Sequence, residues 1–238
     1  MDMSRLAFVA ALEREVRPFL KHWQVRRREH AGREYRFYES GEAVLVCGGI
    51  GPDAARRAAE AVIVLYSPDV LYSVGYAGAL DPTFKVGDVL IPAQVINGSD
   101  GSRVDLSKGQ GILLSRSVVA SVAQKSKLRE AYAAQAIDME AAAVARAAEA
   151  NDLAFRAIKV ISDEFNFELP PLGRFVDREG SFREVRFALH AMVRPWLWLP
   201  LLRLASNSAR ATKALCSELR DVLAEEMPAP SSAQMPQR

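Results

Sequence analysis

The apolar positions of this chain follow two periods. A continuous run at residues 6–11, Leu-Ala-Phe-Val-Ala-Ala, has the pattern of a strand buried on both faces, and it gives way to a charged helical pattern over residues 13–23. Residues 35–38 and 43–47, separated by Ser40-Gly41, predict a hairpin. After Cys47-Gly-Gly-Ile-Gly51 a helix is expected over residues 52–66, with Pro52 tolerated in its first turn. Further strands are expected at 70–74, 89–95, 112–114 and 155–161, and helices at 121–132 and 138–150. Strands alternating with helices predict an α/β sheet with both faces covered.

Beyond Asp163 the pattern changes. Residues 166–180 carry Pro170, Pro171, Gly173 and Gly180 and read as a loop; residues 181–224 read as helical apart from interruptions at Pro195 and Pro200. Residues 227–238 have nothing to bury and are expected to form a disordered tail. The simplest division is one domain over residues 1–226 with a helical C-terminal extension.

Charge and composition narrow the ligand classes. The chain has 238 residues with 31 Lys and Arg against 29 Asp and Glu, a net charge of +2, so the field that steers a nucleic-acid binder is missing. The basic stretch around Arg26-Arg-Arg28 sits among Glu29 and Glu34 and reads as a solvated edge. Cys47 and Cys216 are far apart, and His22, His30 and His190 are scattered, so neither a metal site nor a disulfide framework is expected. No apolar stretch approaches the ~20 residues that a membrane-spanning helix needs. Asp2 before the first apolar run and Glu13 and Glu15 after it favour a cytoplasmic first strand over a signal core.

Two glycine-bearing segments follow strands. Gly49-x-Gly51-x-x-Ala54 has the spacing of a dinucleotide fingerprint, but the next strand lacks the acidic residue at its end that would hold a ribose. A tight turn or a different small-molecule loop fits better, and no cofactor is expected. Val74-Gly-Tyr-Ala-Gly-Ala-Leu80 reads as a second loop, at the edge where open α/β sheets place ligands. Three carboxylates stand at element ends: Glu15, Glu140 in Asp-Met-Glu-Ala-Ala-Ala, and Asp163 closing Val-Ile-Ser-Asp. Each also has a plain reading, respectively a solvated helix charge, a helix-dipole partner and a turn cap.

Taken in order, Ala-Leu-Glu-Arg-Glu-Val, Gly-Gly-Ile-Gly-Pro-Asp-Ala-Ala, Val-Gly-Tyr-Ala-Gly-Ala-Leu, Asp-Met-Glu-Ala-Ala-Ala and Val-Ile-Ser-Asp resemble the purine nucleoside phosphorylase/uridine phosphorylase superfamily, and within it the methylthioadenosine/S-adenosylhomocysteine nucleosidase branch. Leu169-Pro-Pro171 and Arg194-Pro-Trp196 are similar to the hopanoid-associated phosphorylase-like group, which acts on adenosylhopane. The resemblance implies a three-layer α/β/α fold with a central mixed sheet and a homo-oligomer. It also implies that Asp163 protonates the purine leaving group, that Glu140 holds the ribose hydroxyls with Met139 against the sugar, and that Glu15 activates water. Gly49, Gly51, Tyr76, Ala77, Gly78, Ser162 and Val119 complete the implied substrate-binding set.

The implied reaction is hydrolysis of a 5′-substituted adenosine to release adenine, with phosphorolysis or non-catalytic nucleoside binding as alternatives. Ser73 stands where phosphorylases of this superfamily carry an arginine, which favours water; Arg14 and Arg56 remain candidate phosphate partners. The aromatic that usually stacks on the base is missing, and Val118 or Val119 takes its place, leaving a 5′ side open to a bulky substituent. Between Arg194 and Arg203, two tryptophans and several leucines form either an interfacial membrane patch or a helix packed on the core or on a second subunit.

Overall fold

A computed structural model describes residues 5–168, 175, 177, 180, 183, 187 and 198–226. Its first strand, β1 (Leu6–Ala10), is followed by the short helix α1 (Glu13–Val16), then β2 (Gln24–His30), β3 (Arg33–Ser40) and β4 (Ala43–Cys47). Helix α2 (Pro52–Tyr66) leads to the long strand β5 (Val70–Ala79), and β6 (Val89–Leu90), β7 (Gln94–Asn97), β8 (Arg103–Asp105) and β9 (Ile112–Ser115) follow. Then come α3 (Val122–Tyr132), β10 (Ala136–Asp138), α4 (Ala141–Glu149), β11 (Ala154–Asp163) and α5 (Trp198–Glu226).

The strands form one mixed sheet. β4, β1, β5 and β11 run parallel at its centre, while β10 pairs antiparallel with the end of β5 and carries the sheet on through β9 to β7 and β8. Because side chains alternate along a strand, β1 feeds two cores. Leu6, Phe8 and Ala10 face α5 through Ala211, Leu215 and Leu219. Ala7 and Val9 face α2 and α4 through Ala58, Ala59, Val62 and Val144. The result is three layers, with α1 and α5 on one face and α2 and α4 on the other. The alanine-rich faces of α2 and α4 pack closely on the sheet because they present almost no side-chain volume. Among the described residues, no helix is long and apolar enough to cross a membrane.

Several expectations change. The helix expected over residues 13–23 stops at Val16, since Pro18 has no N–H to extend the ladder. The helix expected from residue 138 begins at Ala141, because Ala136–Asp138 pairs as a strand and the Asp138 carboxylate accepts the N–H of Ala141 at 2.8 Å. The expected glycine loop at 74–80 is instead the second half of β5, its backbone held by β11 on one side and β10 on the other. The expected strand 89–95 is two, β6 and β7, with Pro92 between them. The basic edge at residues 24–30 is a strand, β2, almost wholly exposed and fixed by its pairing with β3. Of the expected C-terminal helix, residues 198–226 are helical; most of residues 169–197 and the whole expected tail lie outside the described residues.

Phe8 is fully buried and stacks on Tyr72 with ring centroids 4.9 Å apart. Phe8→Ala is expected to cost about 3–5 kcal/mol in urea unfolding. A loss below about 1 kcal/mol would show that this contact does not organise the core.

Candidate active site

β1 stops at Ala10 opposite Val74, β5 and β11 run on to Ala79 and Asp163, and a cavity of about 180 Å³ opens in the step between these C-terminal ends and the start of α4. Glu15, Tyr76, Ala77, Gly78, Val119, Met139, Glu140, Ser162 and Asp163 line it, as do Arg14, Val118, Lys125 and Asp138. Gly49 and Gly51 do not, although Ile50 between them does. Gly51 acts indirectly: its N–H donates to Glu140 Oε1 at 2.8 Å. Arg56 is turned away from the cavity and pairs with Glu60 at 2.7 Å.

Glu15 reaches the cavity from α1, one turn past β1. It is 5 % exposed, and its Oε2 is the one buried side-chain oxygen or nitrogen among the described residues with no hydrogen-bond partner. Burial pushes its carboxyl from an ordinary 4.5 up to about 8, and the nearby Glu140 charge adds to the shift, while Lys159 opposes it. Glu140 immediately precedes α4. Burial first, and the Asp138 charge second, raise it to about 7, against Lys159 and the N–H groups of Gly51 and Met139.

Asp163 ends β11, where a bulge between Ile161 and Asp163 sets its side chain beside Gly78. Its Oδ1 accepts the Ser162 hydroxyl at 3.0 Å, and its Oδ2 lies 2.7 Å from the Lys125 ammonium. Two glycines make these approaches possible. A Cβ on Gly75 would sit 2.8 Å from Glu15 Oε2, and one on Gly78 would sit 2.7 Å from Asp163 Oδ2. Tyr76 lies between them, and its hydroxyl donates to the Ser208 carbonyl of α5 at 3.0 Å.

Behind the cavity a buried polar network braces the floor. Lys159 Nζ lies 2.9 Å from Asp138 Oδ2 and donates to Ser73 Oγ at 3.1 Å, and Ser115 donates to Asp138 Oδ1. Ser73 is thus occupied by a lysine from the neighbouring strand. The sequence assigns no role to Lys125 or Asp138 and leaves open whether Lys159 touches the ligand. A lysine inside the apolar strand Ile158-Lys-Val-Ile161 was a legible signal. Lys125, in a polar helix without an apolar stripe, offered none. Among the described residues no cluster of His, Cys, Asp and Glu is suited to hold a metal.

A covered α/β sheet with an acid-lined cleft at the carboxyl ends of its parallel strands is a fold class that binds small molecules at that edge. The chain belongs to the phosphorylase superfamily, whose family model matches residues 5–113 and 111–185. A relative from Staphylococcus aureus (strain JH9), 5'-methylthioadenosine/S-adenosylhomocysteine nucleosidase, is 27% identical over 201 residues, covering 68% of this chain and 88% of the relative. The fold is that of the Arabidopsis thaliana 5'-methylthioadenosine nucleosidase, with a TM-score of 0.74 at 17% identity over 97% of this chain and 98% of that one. It also matches the futalosine hydrolase of Helicobacter pylori, with a TM-score of 0.64 at 16% identity over 92% and 98% of the two chains.

The raised Glu15 carboxyl has a consequence for stability. Between its ordinary range and about pH 8 the folded chain holds a proton that the unfolded chain has lost, so Glu15 costs stability as pH rises through that window. Glu15→Gln removes this cost, which is on the order of several kcal/mol at pH 8. The variant's Tm is expected to match the parent's near pH 4 and to exceed it by at least several degrees at pH 8. Equal Tm values at both pH values would contradict the assignment of a buried, late-ionising Glu15.

Proposed function

We propose that this chain is a nucleosidase that hydrolyses the N-glycosidic bond of a 5′-substituted adenosine and releases adenine. The observation that carries the reading is the convergence of Glu15, Glu140 and Asp163 on one cavity, with an unpartnered oxygen on Glu15 alone. The purine sits at the Asp163 and Ser162 end, and Glu140 accepts the ribose hydroxyls beside Met139. Water on Glu15 Oε2 attacks C1′ and gives its proton to that carboxylate. The C1′–N9 electron pair passes into the base, which takes up a proton on N7 from the Asp163 side. The positive charge that develops on the sugar is held by carboxylates in a poorly solvated cleft, where their attraction is strong.

Water suits this site better than phosphate does. Once Glu15 ionises to act as base, a phosphate dianion beside it is repelled by that charge, and Lys159 is already engaged by Asp138 and Ser73. The Staphylococcus aureus and Arabidopsis thaliana relatives are nucleosidases named for methylthioadenosine, which supports hydrolysis of a methylthio-substituted adenosine. Val118 and Val119, 52 % and 42 % exposed at the rim, leave room for a larger 5′ group.

Adenine release from methylthioadenosine and S-adenosylhomocysteine is expected without phosphate. Because Glu15 must be ionised to take a proton, kcat/KM should rise with pH toward about 8. Glu15→Gln is expected to lower kcat by about 10²–10⁴-fold while substrate binding persists. Strict phosphate dependence would make the enzyme a phosphorylase; nucleoside binding without turnover in the parent would make it a binding protein.

We further propose a cytoplasmic homo-oligomer that touches membrane surfaces through the segment ending at Arg203. Both cysteines are free thiols, which fits a reducing compartment. Within that segment Trp198, Leu199 and Leu202 are 53 %, 60 % and 68 % exposed on α5; residues 194–197 lie outside the described residues. Such a Trp and Leu surface beside arginine suits the headgroup region. The parent is expected to float with anionic liposomes and Trp198→Ala to float less; a parent that stays at the bottom of the gradient removes the membrane contact. Sedimentation at the monomer mass removes the oligomer.

A further inference from the structure

Lys125 is the feature of the site that the scheme above leaves unused. Its side chain is 1 % exposed and its partner Asp163 5 %, with 2.7 Å between Nζ and Oδ2. Taking both ions out of water costs several kcal/mol each, and such pairs are often no more stabilising than apolar residues of the same size. Stability therefore does not account for a buried lysine on the wall of a ligand cavity. An ammonium has three hydrogens and no acceptor. Asp163 Oδ2 and the Glu164 carbonyl, at 2.9 Å, account for two of them.

Asp163 also accepts from Ser162, so each of its oxygens already receives a hydrogen bond from the protein. The Lys125 ammonium is thus placed to hand a proton to the carboxyl that meets the leaving base. We propose that Lys125 is a positioning residue that supplies this proton through Asp163, an inference that rests on the glycosidic-bond cleavage proposed above. As the C1′–N9 bond breaks, its electron pair enters the purine. The Lys125 Nζ proton passes along the 2.7 Å bond to Asp163 Oδ2, the carboxyl hands it on to N7, and Asp163 ends as the carboxylate it began as. Lys125 is left as the neutral amine. The proton that Glu15 took from the attacking water returns to it through solvent after product leaves, so the cycle neither consumes nor releases a proton.

The test separates a lysine that delivers a proton from one that only holds Asp163. Lys125→Arg keeps the buried cation and its hydrogen bonds, but a guanidinium does not give up its proton in a protein. The variant should fold with a Tm close to the parent's. Its kcat for adenine release from methylthioadenosine should fall by about 10²-fold or more. A p-nitrophenyl 5-methylthioribofuranoside, which releases p-nitrophenolate and needs no proton on the leaving group, should be cleaved within about threefold of the parent rate, because no general-acid contribution is lost there. Lys125→Met should give the same split, and its readout stands beside that of the arginine variant should the methionine variant misfold. If Lys125→Arg releases adenine at the parent rate, or if both substrates fall equally, Lys125 is structural and the proposal is overturned. A parent enzyme that releases no base from any nucleoside would instead overturn the nucleosidase reading itself.

Discussion

The site depends on how closely two carboxylates approach the backbone of one strand. β5 carries Gly75 and Gly78 where the side chains of Glu15 and Asp163 lie against it, and neither position has room for a Cβ. A glycine inside a strand weakens it by about 0.5–1 kcal/mol relative to alanine. That cost is offset by pairing on both edges, with β11 running alongside and β10 joining at the end. The strand can then carry small residues at the cleft and large ones, Leu71 and Tyr72, in the cores beneath it.

Around that strand the charges are arranged by burial rather than by contact alone. Glu15, Glu140, Asp138 and Asp163 are drawn together at the end of the sheet, and Lys159 and Lys125 enter from β11 and α3 to meet Asp138 and Asp163. This division leaves Glu15 and Glu140 without a paired lysine among the described residues, and desolvation dominates both. The two carboxyls that face the cavity without a paired lysine are thus the ones that ionise late. Such groups titrate close to neutral pH and can exchange protons with a bound reactant.

The outer layers give the cleft its shape. α5 closes one face of the sheet through Ala211, Leu215 and Leu219, and the Tyr76 hydroxyl ties the ligand edge of β5 to the same helix. α4 closes the other face and brings Glu140 to the cavity at its first turn, while Asp138 terminates β10 and receives the first N–H of that helix. One short sequence, Asp-Met-Glu, therefore ends a strand, starts a helix and presents a carboxylate. Its two acids do different things because one is bonded inward and the other faces the cavity.

Much of this was legible in the residues. The runs at 6–11, 43–47 and 155–161 and the alanine-rich helices over 52–66 and 138–150 specify covered strands and close-packed helices, apart from the start of the second helix, because period and side-chain volume are local properties. The order of the short motifs placed the chain in its family and singled out Glu15, Glu140 and Asp163. Other features were silent. β2 has no apolar alternation and exists only because β3 pairs with it, and β5 continues through its glycines because two neighbours hold its backbone. Lys125 stands 38 residues from Asp163 in a helix with no apolar stripe, so nothing local marks it as buried. Sequence by itself determined the layers and singled out three of the acids that line the cavity. Tertiary structure alone decided which acids meet an ammonium and which are left to burial, since partner choice and desolvation are properties of atoms brought together by the fold.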